Sequence, residues 1–312
     1  MRKVYAIGET VLDILLKGNQ PFTAKAGGSC LNSAVTLGRL GLPIYFIGEY
    51  GLDEVGNFID RFLIDNNVNT DYVYRYYDGK SALALAFLNE QNDASYDFYK
   101  IYPKKRLHIQ FPELKQDDIV LFGSFYAITE EVRDKLIKFV AEAKKKKAIV
   151  IYDPNFRKTH LHELPKLKPM IMENIKYSKI VRGSNEDFSF IFGSRDADET
   201  YSILPDKKPS LLYTANKKGV YLRTPDLQES YPVHKIDPQS TIGAGDNFNA
   251  GIVYSLIKNN IRYKDLSGLK ADVWNDIVTT AVDFATHVCM SYDNYLSEEF
   301  AEKYKLPTEE SE

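Results

Sequence analysis

Short apolar runs of strand length alternate along this chain with stretches whose apolar residues return every three or four positions. Residues 3–8, 44–48, 118–124, 148–152, 179–182 and 210–214 read as buried strands. Between them, Val55, Phe58, Ile59, Phe62 and Leu63 fall on one helical face and are expected in the core. Val132, Leu136, Phe139, Val140 and Ala143 do the same, as do Val278, Ala281, Val282, Ala285 and Cys289 in a helix over 271–290. Helices are also expected from Gly28 to Gly41 and from the Gly243 turn to about Lys258. Two stretches break the alternation. Residues 10–25 alternate loosely, like a strand pair that leaves the main sheet and returns. Residues 71–101 are rich in Tyr, Phe and Val, with turns at Asp78-Gly79 and Asn92-Asp93, and predict three strands at 72–77, 81–88 and 95–101. The pattern is α/β, a mainly parallel sheet with a small second sheet beside it.

Composition narrows this picture little. The 312 residues carry a formal net charge of −3, which argues against a nucleic-acid surface. Lys144 to Lys147 close a helix, where cations suit the negative end of the dipole. Cys30 and Cys289 stand far apart and predict neither a zinc site nor a disulfide framework. No apolar run reaches the length of a membrane span. The chain opens directly on a strand-like run, so the expected location is cytoplasmic.

The chemistry gathers at Ser240-Thr241-Ile242-Gly243-Ala244-Gly245-Asp246. A glycine turn at a helix N-terminus presents backbone N–H groups and positive dipole to an anion. Asp246 follows at once. A carboxylate does not help to hold phosphate, but it suits a base acting while the turn neutralises the group being transferred. The same residues also read as an ordinary N-terminal cap. Gly28 and Asn32 lie one helical turn apart after Gly27, so both can reach one ligand. Asn32 can equally be buried on a backbone partner. Asp13, between Leu12 and Ile14, is a candidate ligand or a solvated strand residue. Asp153-Pro154-Asn155 ends a strand, where α/β sheets bind ligands, and is also turn-forming in composition.

Residues 240–251 resemble the C-terminal signature of the ribokinase-like (PfkB) carbohydrate kinases, usually Asp-Thr-Thr-Gly-Ala-Gly-Asp-x-Phe-x-Ala-Gly. Gly243, Ala244, Gly245, Asp246, Phe248, Ala250 and Gly251 match, whereas Ser240 and Ile242 depart. Gly27-Gly28 with Asn32 and Ala34, followed by Gly51-x-Asp53-x-x-Gly56, resembles the family's N-terminal signature. Asp153-Pro154-Asn155-x-Arg157 is a further match. Phe98-Tyr99-Lys100 is similar to fructokinase-type members, with Lys100 where arginine is usual.

The resemblance implies one ribokinase-like domain over 1–312. It would be a three-layer α/β/α fold whose lid strands come from about 10–26 and 71–101. It implies transfer of the ATP γ-phosphoryl group to a sugar hydroxyl, with Asp246 as base and the N–H groups of Gly243, Ala244 and Gly245 as anion hole. Asp13, Gly28, Asn32, Lys100 and Arg157 are the implied substrate contacts. Thr214, Asn216 and Gly219 would meet the nucleotide, with Asn216 replacing a glycine in a turn that asparagine tolerates. Mg2+ would be ordered through water by Asn185 and Glu186, or Asp187 in place of Glu186, because Phe188 stands where the family has glutamate. A monovalent cation and a homodimer through exposed lid edges belong to the same expectation. Fructokinase is the nearest likeness; 2-keto-3-deoxygluconate kinase, ribokinase and nucleoside kinase are alternatives. Lys104, Lys105 and Arg106 are the cations available for a charged sugar. Because Ser240, Ile242, Asn216 and Phe188 all depart on the nucleotide or metal side, a catalytically weak sugar-binding or regulatory protein is the alternative of another class.

Overall fold

A computed structural model describes residues 2–18, 20–88, 94–205 and 208–306. The turn at Asn92-Asp93 and the tail after Leu306 lie outside these. The first part of the chain holds β1 (Val4–Ile7), the hairpin β2 (Val11–Lys17) and β3 (Gln20–Gly27), α1 (Ser29–Arg39), β4 (Ile44–Gly51) and α2 (Glu54–Asp65). Then come β5 (Val73–Tyr76), β6 (Lys80–Leu88), β7 (Ala94–Ile101), β8 (Ile119–Gly123), α3 (Glu130–Lys145), β9 (Ile149–Asp153) and α4 (Leu164–Tyr177). The last part holds β10 (Ile180–Ser184), α5 (Asn185–Phe192), α6 (Ala197–Ile203), β11 (Ser210–Thr214), β12 (Val220–Arg223), β13 (Gln228–Tyr231), α7 (Ala244–Lys258), α8 (Ala271–Cys289) and α9 (Glu298–Glu302).

The larger sheet has the order β13-β12-β11-β10-β9-β8-β1-β4-β5. It is parallel from β5 to β11 and ends in two antiparallel strands. Its central strands read as continuous apolar runs because helices cover both faces. In β1, Val4 and Ala6 enter one core with Leu31 and Val35 of α1 and Trp274 and Ile277 of α8. Tyr5 and Ile7 enter the other, with Leu136 and Val140 of α3 and Ile171 of α4. The result is the expected three-layer arrangement. The chain winds outward from β1 in both directions, and the crevice at the strand ends there is where such sheets bind ligands.

The smaller sheet has the order β3-β2-β6-β7. Its strands fall within the expected segments, with one correction. Residues 72–77 are not a lid strand: β5 pairs parallel with β4, Gly48 opposite Val73 and Gly51 opposite Tyr76, and closes the edge of the main sheet. Helix α2 makes the crossover, so β4-α2-β5 is one βαβ unit. The chain leaves the main sheet only at Asp78-Gly79. A second correction concerns α2 itself. Ile59 and Leu63 are buried, but Phe58 is 47% exposed, because it lies at the margin of the apolar stripe.

Candidate active site

Two helix N-termini meet at Asp246. Gly243 caps α7 with φ +80°, a left-handed conformation that suits glycine. Asn247 locks the turn: its side-chain amide donates to the Gly243 and Asn294 carbonyls, each at 2.8 Å, and its oxygen accepts from Thr36 Oγ1 at 2.5 Å. From α1, Ser29 Oγ donates to one Asp246 carboxylate oxygen at 2.6 Å and Asn32 Nδ2 to the other at 2.8 Å. Ser33 Oγ donates to the Asp246 carbonyl at 2.7 Å. Positions 29, 32 and 33 share one helical face, which is why three side chains of α1 reach one residue. Burial pushes the Asp246 carboxyl above the ordinary carboxylate range. Hydrogen bonds from Ser29 and Asn32 oppose that, the Asp153 charge adds to it, and the Arg157 charge opposes it. A carboxylate with a raised proton affinity, set in the glycine turn that opens α7, is suited to take a proton. The anion hole needs one correction. The Ala244 N–H donates to the Thr241 carbonyl at 3.3 Å and closes the turn, so it is not an open donor in this state.

On the lid side, Asp13 lies against the double glycine. A Cβ added at Gly27 would sit 2.2 Å from Asp13 Oδ2, and one at Gly28 2.2 Å from the Glu9 carbonyl oxygen. Gly28 has φ +129°. Asp13, Gly27, Gly28, Ser29 and Asn32 therefore form one continuous wall leading to Asp246. Asn32 is buried, and its Oδ1 has no hydrogen-bond partner. Burial pushes the Asp13 carboxyl up to about 7. The folded protein thus keeps that proton to about pH 7, whereas a free side chain releases it near 3.8, so this group's contribution to stability declines across that window as pH rises. Sugar hydroxyls donate to the charged form. In a pH profile, kcat/KM for the sugar is expected to rise through about pH 7, and Asp13→Asn to flatten the rise. A flat wild-type profile from pH 6 to 8 would contradict a sugar contact by Asp13.

Lys100 does not join this wall. Its Nζ pairs with Glu9 Oε1 at 2.8 Å, and Tyr102 hydrogen-bonds the same oxygen. The Lys100 ammonium is a point charge on that glutamate and lacks the planar fork with which an arginine would meet substrate. Arg106 is equally committed, buried on Glu49 at 2.6 Å, while Lys104 and Lys105 are exposed.

The side expected to meet the nucleotide is built from strand ends. Asp153 of β9 accepts from Arg182 Nη1 at 2.9 Å, Asn249 Nδ2 at 2.7 Å and the Asn155 N–H at 2.9 Å. Arg182 Nη2 donates to Thr214 Oγ1 at 2.8 Å. Asn216 takes φ +47° and Gly219 φ +115°, so the turn after β11 keeps its shape with asparagine in place of glycine. Arg157 is exposed at the end of the Asp153 loop, within electrostatic reach of Asp246.

The expected metal ligands do not come together. Glu186 is exposed, Asp187 caps α5 through Ser184, and Phe188 is fully buried, stacked on Tyr213 with ring centroids 5.7 Å apart. Asn185 Oδ1 is buried without a partner and is the one acceptor of the expected pair that suits a metal-bound water. Among the described residues no three His, Cys, Asp or Glu side chains cluster as metal ligands.

Sequence reasoning missed Ser29, Asn247, Asn249, Arg182 and Glu9. Asn247 and Asn249 occupy the free positions of the Asp-x-Phe-x-Ala-Gly pattern. Their signal was polar character at buried positions of a mostly apolar helix. Arg182, a charge inside a buried strand, carried the same kind of signal.

Comparison with known proteins gives the family and the fold. The chain is 29% identical over 267 residues to the protein of Arabidopsis thaliana described as "Probable fructokinase-6, chloroplastic", covering 81% of this chain and 70% of the relative. Among solved structures, a double mutant of fructokinase from Vibrio cholerae O395, bound to fructose, ADP and potassium ion, has a TM-score of 0.84 at 21% identity. That match covers 98% of this chain and 99% of the other. The aminoimidazole riboside kinase of Salmonella enterica, complexed with aminoimidazole riboside and an ATP analogue, gives 0.82 at 18% identity over 97% and 100% of the two chains. Residues 1–288 match the pattern of the pfkB family carbohydrate kinases, and the chain belongs to that family.

Proposed function

We propose that this carbohydrate kinase transfers the γ-phosphoryl group of ATP to a hydroxyl of fructose. The observation that carries the reading is Asp246, held by Ser29 and Asn32 where the glycine turn meets the Asp13–Gly28 wall. The carboxylate takes the proton from the sugar hydroxyl. The hydroxyl oxygen then bonds to the γ-phosphorus as the bond to the β–γ bridging oxygen breaks, and ADP leaves. Asp13, Gly28 and Asn32 orient the sugar, while the glycine turn and helix dipole stabilise the transferring oxygens. Positioning and electrostatics of this kind supply most of phosphoryl-transfer catalysis. Magnesium is proposed to arrive on the phosphates of ATP, and a monovalent cation is proposed from the potassium in the Vibrio cholerae relative. Repeating the assay with KCl against choline chloride checks the latter.

The charges favour an uncharged acceptor. Lys100 and Arg106 are each paired with a glutamate, which leaves the exposed Lys104 and Lys105 as the cations of that segment for a sugar phosphate or sugar acid. ADP release with Mg-ATP is therefore expected with fructose and not with fructose 6-phosphate or 2-keto-3-deoxygluconate; ribose and adenosine complete the panel. Silence with every acceptor, alongside thermal stabilisation by fructose, would support the second reading. That reading is a sugar-binding protein without turnover, and Phe188 in the place of glutamate is what favours it.

A homodimer through the lid is proposed from the exposed Phe98, Tyr99 and Ile101 of β7. A monomer by light scattering at micromolar concentration would refute it. Among the described residues no helix is long and apolar enough to cross a membrane. A cytoplasmic location is proposed on the family likeness, and cell fractionation tests it.

A further inference from the structure

Arg182 is an expensive residue where it stands. It is 9% exposed on a central strand, and burying a guanidinium is costly unless every arm is used. Two arms are used. Nη1 meets Asp153 on the neighbouring strand β9, and Nη2 meets Thr214 on the other neighbour, β11. The remaining Nε is buried without a partner. The flat face of the group lies against a fourth element. A Cβ at Gly245 would come 2.5 Å from Nη1 and 3.1 Å from Cζ, and the Phe248 ring centroid is 5.5 Å from Cζ. One side chain therefore touches three strand ends and the turn that opens α7. A hydrocarbon core residue would tie strands together at lower cost. What it would not do is fix the Thr214 hydroxyl relative to the Gly243–Gly245 backbone.

We propose that Arg182 is a positioning residue for phosphoryl transfer: it holds Thr214, on the nucleotide loop, in register with the glycine turn that receives the transferring group. This rests on the kinase reading above. It also explains why Gly245 is glycine. The turn must lie flush on the guanidinium, and a side chain there would displace it.

Arg182→Lys keeps a cation for Asp153 but loses the fork and the flat face. It is expected to weaken ATP binding about tenfold and to lower kcat about tenfold, with fructose affinity unchanged within twofold. Thr214→Val removes the other end of the contact, leaving Arg182 paired with Asp153 but its Nη2 without an acceptor, and is expected to weaken ATP binding about fivefold. Because both act through one contact, the double variant is expected to bind ATP no more weakly than Arg182→Lys alone. ATP affinity is read by titration calorimetry with Mg-ATP, without acceptor. That keeps the result separate from the kinase reading, which the acceptor panel tests on the wild-type protein. Unchanged ATP affinity in either single variant would overturn the proposal, as would additive losses in the double variant. Equal losses of fructose and ATP affinity would reduce Arg182 to a structural clamp and overturn it too.

Discussion

Asp246→Asn is expected to lower kcat by about a thousandfold while leaving fructose affinity within a few-fold of wild type. The asparagine oxygen still accepts a hydrogen bond, but the side chain can no longer take a proton from the sugar hydroxyl. Ser29 remains a donor to the new amide's oxygen, and the Asn32 amide can turn so that its oxygen, not its nitrogen, faces the new NH2 group. Folding is not expected to suffer. Burial already pushes the Asp246 carboxyl toward its neutral form, so replacing it by a neutral amide removes a desolvated charge. The melting temperature should therefore hold or rise. Steady-state turnover, sugar titration and thermal denaturation on one preparation separate these effects. Near-normal turnover in the variant would remove Asp246 as the base. A parallel collapse of sugar affinity would make it a substrate ligand instead.

Much of this site was legible in the chain because it is built from residues whose backbone geometry is restrictive. Gly243, Gly28 and Gly219 mark positions of positive φ, and Asn216 occupies a fourth with φ +47°. Such positions leave a local signature whatever lies around them. Strands β6 and β7 of the smaller sheet, and the helix faces apart from Phe58, followed from local pattern. What escaped was set by contacts distant in sequence. Residues 72–77 have the composition of an exposed strand, and only pairing with β4 puts them in the main sheet. Lys100 looked available until Glu9, ninety-one positions earlier, was placed beside it. Arg182 joins Asp153, Thr214 and Gly245, residues separated by up to ninety-two positions, and no local pattern reports that junction. Phe188 shows the converse. Its departure from the family pattern was visible, but its consequence was clear only once its ring was found filling the core beside Gly183 and Tyr213.

The second large effect is expected at Gly243. Alanine there must adopt φ +80°, which costs about 1 kcal/mol or more in an L-residue. Its Cβ would also approach the Asn294 carbonyl oxygen to 2.6 Å and the Asn294 carbonyl carbon and Cα to 3.0 Å. These are backbone atoms, so relief requires the turn or the 294 segment to move. Either movement loosens Asn247, which bonds both carbonyls at once. We expect Gly243→Ala to destabilise the fold by about 2–4 kcal/mol and to lower kcat/KM for ATP about a hundredfold. Fructose affinity should change little, because the sugar wall belongs to the lid and α1. Gly193 supplies the control. It has φ +71°, caps α5, and would place a Cβ in open space. Gly193→Ala therefore carries the left-handed strain without the collision, and is expected to lower the melting temperature modestly with kcat unchanged. If the two variants lost turnover in proportion to their loss of stability, the effect at Gly243 would be global. If Gly243→Ala alone lost turnover, at a temperature where both are folded, the backbone of the glycine turn would be the phosphoryl-transfer element.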